Sequence, residues 1–244
     1  MKVAAIIPAR YESTRLPGKV LLEIQGKSIL QRVYDQVKKV EAIDLVAVAT
    51  DSEMIAKHCG ENGIECIMTS SSHQSGTDRI AEAANSVESD IIINVQGDEP
   101  FIEPAAISCL VELMHADKVQ IGTLCKKIID ESRVFDYNTV KMVMDKNSKV
   151  MYFSRQAIPA NRDRPYAEWI DHSPYYQHLG IYGFKKETLL NIARLDMSEL
   201  EKTEKLEQLR WLENGYTIYG RVVQSDSFGI DTMEDLEKAR EIYK

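Results

Sequence analysis

The sequence predicts an α/β fold with a mostly parallel central sheet, helices on both faces and a smaller, irregular β-rich insertion. Three observations carry that reading. Apolar runs of strand length recur at 3–7, 45–49 and 91–95. Stretches of helical length separate them, the pattern of βαβ units joined by right-handed crossovers. From 126 to 184 the alternation gives way to paired strand-like segments and a stretch rich in Pro, Arg and aromatic residues.

Residues 3–7 read as the first buried strand. Ser28 caps a helix over 29–40, whose Ile29, Val33, Val37 and Val40 keep one face apolar. A second strand at 45–49 and a helix at 52–62, closed by Gly63, follow. Then come a short strand at 65–68, a helix from about Thr77, the strand at 91–95, a helix after Pro104 and a strand near 121–125. In the irregular block, 140–144 and 150–153 flank Asp145-Lys-Asn-Ser-Lys149 as an antiparallel hairpin. Residues 157–174 read as an excursion, and 175–184 returns as a strand. Further on, 198–214 reads as one helix ending at Gly215, and 217–223 as a strand. Thr232-Met-Glu-Asp235 resembles a capping box, with Asp in place of Glu, that opens the last helix.

A chain of 244 residues suits one large domain, or a nucleotide domain with a modest insertion. No apolar run approaches the roughly 20 residues of a membrane span. Pro8 and Arg10 cut short the apolar opening, so it reads as a strand and not a signal segment. The expectation is a cytoplasmic protein without stable membrane insertion. The net charge of −8 argues against non-specific nucleic-acid binding, which runs on phosphate neutralisation. Cys59, Cys66, Cys109 and Cys125 form no CxxC pair and read as free thiols.

Chemistry concentrates after the first strand. Pro8-Ala-Arg-Tyr-Glu-Ser-Thr-Arg-Leu-Pro-Gly-Lys19 gathers Arg10, Arg15 and Lys19 in an otherwise acidic chain. It is not a Walker A loop, since Ser13 stands where the first Gly is required and Val20 follows the Lys; no GxGxxG is present either. Two guanidiniums offer forked donors to phosphate oxygens, and one ammonium supplies a compact charge. A solvated loop with scattered charges is the alternative, and it does not account for the Pro17-Gly18 turn just before Lys19.

Two acidic segments follow. Ile91-Ile-Ile-Asn-Val-Gln-Gly-Asp-Glu-Pro100 runs from a buried strand into polar residues, with Gly97 permitting close backbone approach before Asp98. Ligands of such sheets bind at the carboxyl ends of the strands, and a carboxylate there suits Mg²⁺ bridging triphosphate oxygens. A turn or helix cap is the alternative reading of Asp98. Ser227-Phe-Gly-Ile-Asp231 again places an Asp after a short apolar segment. Asp231 would either complete a two-carboxylate metal site with Asp98 or cap the last helix, a task for which Thr232 competes.

Six segments then occur in order: Arg10-x₄-Arg15-x₂-Gly18-Lys19, Ser75-Gly-Thr-Asp-Arg79, Asn94-Val-Gln-Gly-Asp-Glu-Pro100, His178-Leu-Gly-Ile-Tyr-Gly183, Leu206-Glu-Gln-Leu-Arg210 and Gly229-Ile-Asp-Thr232. Together they closely resemble the 3-deoxy-manno-octulosonate (Kdo) cytidylyltransferases, the CMP-Kdo synthetase family, over essentially the whole chain. The resemblance implies a GT-A-like nucleotidyltransferase fold and a homodimer formed largely by the irregular block. It implies the reaction of CTP with Kdo to CMP-Kdo and pyrophosphate, for lipopolysaccharide biosynthesis. Residues 1–125 of the single 1–244 domain would be the main nucleotide half, and 126–184 would add to the sugar pocket and dimer contact. Arg10, Arg15 and Lys19 would hold the phosphates, and Arg10 and Lys19 would serve catalysis with Asp98 and Asp231, which bind Mg²⁺. Ser75 and Gly76 would help read cytosine and ribose, with Arg79 near the nucleotide or sugar. Gln74, Gln96, His178, Tyr182, Glu207 and Gln208 would shape the sugar-acid pocket.

From the residues alone, His178 and Tyr182 read equally as core, Glu207 as a solvated helix face, and Gln74 as loop polarity. The chain departs from the family pattern at Ser227-Phe228, which puts a bulky ring near Asp231. Rival readings are a cytidylyltransferase for 8-amino-Kdo or sialic acid, a glycosyltransferase of similar fold, and a non-catalytic nucleotide-binding module.

Overall fold

A computed structural model of the chain describes residues 1–12, 16–73, 75–225 and 227–242. The first half alternates as its periodicity requires. Strand β1 (Val3–Pro8) leads through a 3₁₀ turn and a two-residue hairpin, β2 (Glu23–Ile24) and β3 (Lys27–Ser28), into α1 (Ile29–Val37). Ser28 caps α1, its hydroxyl accepting from Gln31 N at 3.0 Å. Then follow β4 (Leu45–Thr50), α2 (Glu53–Glu61), β5 (Cys66–Met68), α3 (Gly76–Asn85), β6 (Ile91–Asn94), α4 (Pro104–Met114) and β7 (Ile121–Lys127).

The second half is less regular. It holds α5 (Glu131–Phe135), the hairpin β8 (Lys141–Met144) and β9 (Val150–Ser154), α6 (Trp169–His172), β10 (Tyr176–Lys185) and α7 (Lys186–Ile192). Helices α8 (Glu199–Glu204) and α9 (Gln208–Glu213), β11 (Ile218–Val222) and α10 (Met233–Ile242) complete it. The excursion before β10 is not coreless. Trp169 and Tyr175 pack with Ile128 and Val134 as a small apolar cluster of their own.

The strands order as β11-β7-β10-β6-β1-β4-β5, with the β8–β9 hairpin attached to β10. Pairs β6–β1, β1–β4, β4–β5 and β11–β7 are parallel, while β10 runs antiparallel between β6 and β7. Side chains alternate across a strand, and β1 shows it. Val3, Ala5 and Ile7 join the core under α1, α2 and α4; Ala4 and Ile6 join the core under α3, α7 and α9. Helices therefore cover both faces, and the carboxyl ends of β1, β4, β5 and β6 open on one side.

One expectation fails. The helix read over 198–214 is two helices, broken at Lys205, which takes φ 54°. No Gly or Pro marks the break. It is fixed by packing: Leu206 turns inward, and Arg210 of α9 makes two 2.7 Å bonds back to the buried Glu201 of α8. The break starts a new helix at residue 208, directly after Glu207, and so aims that carboxylate at α3.

Candidate active site

The carboxyl ends of the parallel strands enclose a cavity of about 270 Å³. Pro8, Ala9 and Arg10 enter from the end of β1, Gln96, Gly97 and Asp98 from the end of β6, and Ser75, Gly76 and Arg79 from the start of α3. Lys19 and Asp231 close it from the loop after β1 and the approach to α10. Close approach requires Gly97: a Cβ there would stand 2.9 Å from Pro8 O. Gly18 adopts φ 67°, a left-handed conformation that glycine adopts without strain, and turns the chain into Lys19.

Lys19 is the hub. Its ammonium is almost buried and donates to Asp98 Oδ2 at 2.5 Å and to Asp231 Oδ1 at 2.7 Å. Burial opposes its charge, but the two carboxylates outweigh burial and hold its pKa above the ordinary lysine value. A backbone bond from Ile230 N to Asp98 O, 2.8 Å, ties the two acidic segments together. The capping role falls to Thr232, whose hydroxyl accepts from Asp235 N while Asp235 accepts from the N–H groups of Asp231 and Thr232. Phe228 does not crowd this pair. It stacks on Phe101 at 4.4 Å and packs with Ile24, Ile29 and Ile230.

A divalent cation fits here by one test the protein supplies itself: a side-chain cation already sits between one oxygen of each carboxylate. Among the described residues no group of three or more His, Cys, Asp or Glu forms a metal cluster. Asp98 and Asp231 are therefore the two residues that would hold such a cation, hard oxygen ligands of the kind Mg²⁺ takes. Sequence reasoning gave Glu99 no role in this charge balance. Burial first, then Asp98 and Asp231, push its carboxyl up to about 8, and its Oε1 lies against Gly180.

Deeper residues adjoin the cavity. His178 Nε2 lies 2.9 Å from Thr123 Oγ1, which itself donates to Ile181 O at 2.7 Å. With the hydroxyl proton committed, the ring must donate through Nε2–H, leaving Nδ1 as an acceptor. Burial pushes the His178 pKa down to about 3, so the ring is neutral. A register shift in β10 between His178 and Tyr182 re-aims both side chains. Tyr182 Oη is buried without a partner, and burial, reinforced by Glu207, raises its pKa.

Glu207 Oε2 accepts from Thr77 Oγ1 at 2.6 Å, and the Ser75 hydroxyl also bonds to it. Its Oε1 is buried with no partner, and burial raises its pKa despite those bonds. Four residues on, Trp211 Nε1 is likewise buried and unpaired. Orphaned polar atoms cost about 1–3 kcal/mol each, which makes Tyr182 and Glu207 costly as plain core residues.

Of the residues singled out by sequence, Arg10, Lys19, Ser75, Gly76, Arg79, Gln96, Asp98 and Asp231 line the cavity together. Arg79 is buried, its Nη1 donating to Thr69 Oγ1 at 2.6 Å and its Nη2 lying 3.0 Å from Asp51 Oδ2. His178, Tyr182 and Glu207 lie behind that wall, and Gln208 begins α9 as a buried residue. Arg15 and Gln74 lie outside the described residues. Asp51, Thr69, Thr77 and Trp211 escaped sequence reasoning because nothing in their local pattern separates them from ordinary strand-end and helix residues. His73, just ahead of the Ser75-Gly-Thr-Asp-Arg79 segment, also lines the cavity.

Comparison with known proteins places this geometry. The cytidylyltransferase family profile matches residues 4–218. The 3-deoxy-manno-octulosonate cytidylyltransferase of Parabacteroides distasonis is 46% identical, over 98% of this chain and 97% of its own. That of Thermodesulfovibrio yellowstonii is 47% identical with the same coverage, 98% and 97%. A solved CMP:2-keto-3-deoxy-manno-octonic acid synthetase complexed with CTP superposes with a TM-score of 0.94 at 38% identity, covering 100% of this chain and 98% of that one.

Proposed function

This chain belongs to the 3-deoxy-manno-octulosonate cytidylyltransferase family, and we propose that it transfers CMP from CTP to the anomeric hydroxyl of Kdo, releasing pyrophosphate. One observation carries the reading: Asp98 and Asp231, far apart in sequence, meet on Lys19 at the mouth of a cavity built by strand ends. The anomeric oxygen forms a bond to the α-phosphorus as the α–β bridging bond breaks, and the hydroxyl proton leaves to solvent. Arg10 and Lys19 stabilise charge on the departing pyrophosphate. Substrate carboxylate and triphosphate repel by about 4 kcal/mol per charge pair at 4 Å and an effective dielectric near 20.

That repulsion is the reason for a metal requirement. Asp98 and Asp231 would hold Mg²⁺, which when bound neutralises phosphate charge and acidifies a nearby hydroxyl. Arg79, fixed between Thr69 and Asp51, keeps the nucleotide wall rigid. Neutral His178, Tyr182 and Glu207 offer one acceptor, one hydroxyl and one carboxylate oxygen, a set suited to the hydroxyls of a sugar acid. The reaction would serve lipopolysaccharide assembly in the cytoplasm. Exposed Ile129, Tyr137 and Tyr166 around the irregular block support its use as a homodimer contact.

The test is pyrophosphate release from CTP with Mg²⁺, with and without Kdo. Kdo-dependent release that ceases with chelator is expected. Absence of Kdo-dependent turnover in folded protein sinks the assignment, and faster turnover of 8-amino-Kdo or sialic acid redirects it.

A further inference from the structure

The loop between β5 and α3 forms one wall of the cavity, and successive turns of α3 grip it from outside. Arg79 Nη1 donates to Thr69 Oγ1 at one end of the loop. One turn on, Glu82 Oε2 accepts from Ser70 N at 2.9 Å and bonds His73 Nε2 at the other end. Residues three apart share a helix face, so positions 79 and 82 act on the same loop. His73 lines the cavity; Glu82 does not, and its side chain is 42% exposed.

An ionised carboxylate only accepts. The bond to Glu82 therefore needs its proton on His73 Nε2, which sets the tautomer. Nδ1 is then an acceptor, and it carries no hydrogen bond among the described residues. We infer that His73, oriented by Glu82, is a specificity-determining residue for the nucleoside: Nδ1 accepts from a donor on it, the exocyclic amine of the base or a ribose hydroxyl. Glu82 acts through His73 and is a positioning residue. The inference rests on the CTP reading above and adds a nucleoside contact to it. Cytosine presents an amine where uracil presents a carbonyl oxygen, and two acceptors face to face repel.

The experiment measures Kd by calorimetry and kcat/KM at saturating Kdo for CTP, UTP, 2′-deoxyCTP and 3′-deoxyCTP. It compares wild type with His73→Phe, His73→Gln, Glu82→Ala and Glu82→Gln. Wild-type turnover of CTP with Kdo checks the underlying reading separately; the binding arm tests His73 whether or not that turnover is seen. His73→Phe is expected to weaken CTP about tenfold, the loss of one hydrogen bond, and to erase that margin over one of the three analogues. Loss of the margin over UTP identifies the base amine, and loss over a deoxy analogue the hydroxyl; either supports the inference. Glu82→Ala should move the same ratio by less, with Glu82→Gln between it and wild type and KM for Kdo unchanged. Unaltered ratios for all three analogues in both His73 variants overturn it. So does a Glu82→Ala variant that loses thermal stability and raises both substrate KM values together.

Discussion

Lys19 and Lys141 are both sunk in the protein, at 9% and 0% exposure, yet their partners differ in kind. Lys19 sits between two carboxylates that still reach solvent, and its pKa rises. Lys141 at the start of the hairpin donates to the carbonyls of Asp136, Thr139 and Arg155 at 2.8, 2.7 and 2.5 Å. Burial dominates there, and its pKa falls. Carbonyl dipoles satisfy donors but do not neutralise a charge, whereas carboxylates do both. On the proposed metal reading the first arrangement would be exchangeable, because any cation answers two carboxylates. The second is structural, because only a compact group with three donors ties those three backbone segments together.

Breaking each site should separate function from stability. Asp98→Asn is expected to lower kcat/KM by about 10³-fold or more, the scale of losing a main electrostatic element, with the thermal midpoint little changed. Near-normal turnover would remove Asp98 from the metal site. Lys141→Met should do the reverse. It strands three carbonyls, each costing about 1–3 kcal/mol where it stays buried and unsatisfied, read as a lowered midpoint in denaturant. Turnover per folded molecule should fall far less than the thousandfold expected at Asp98. A Lys141→Met protein as stable as wild type would show that the cage is incidental.

The two sites also differ in how legible they were. Lys19 stood out in the sequence as a cation after a Pro-Gly turn in an acidic chain, and Asp98 as a carboxylate after Gly97 at the end of an apolar strand, while Asp98 and Asp231 each kept a turn or cap reading beside the metal one. The mostly parallel sheet followed from alternation, and burial on both faces from the unbroken apolar runs of β1, β4 and β6; the order of the strands and the antiparallel place of β10 did not. Lys141 looked like an ordinary strand residue, because its partners are backbone carbonyls that no sequence pattern encodes. The break at Lys205 was invisible for a related reason: Glu-Lys-Leu-Glu, residues 204–207, has good helix formers throughout, and only the Arg210–Glu201 pair and Leu206 burial decide it. That break sets Glu207, so the sugar side of the site was readable only through resemblance.

His178 extends the contrast to acid pH. As at Lys141, burial dominates, and its pKa falls from 6.5 to about 3. The unfolded chain binds a proton below pH 6.5 that the native ring refuses. Stability from this group is therefore whole above pH 6.5 and is lost on acidification toward 3, by about 1.4 kcal/mol per pH unit. His178→Gln should show a shallower acid limb in urea midpoints between pH 6 and 4. An unchanged limb would mean that another group controls acid unfolding.

The smallest effect is the most direct test of the lysine comparison. From the common reference of 10.5, the Lys19 pKa is raised and the Lys141 pKa lowered. The Lys19 contribution is fully present below 10.5 and is lost as pH climbs through its higher native value. Native Lys141 sheds its proton before the unfolded chain does, so stability from that group rises with pH in the window below 10.5. Thermal midpoints of wild type, Lys19→Met and Lys141→Met between pH 8 and 11 should therefore diverge in opposite senses. The gap between wild type and Lys19→Met should narrow above 10.5, while the gap to Lys141→Met should widen on the approach to it. Gaps that move together would mean both ammoniums feel the same environment, and the distinction between an exchangeable cation site and a carbonyl cage would fall.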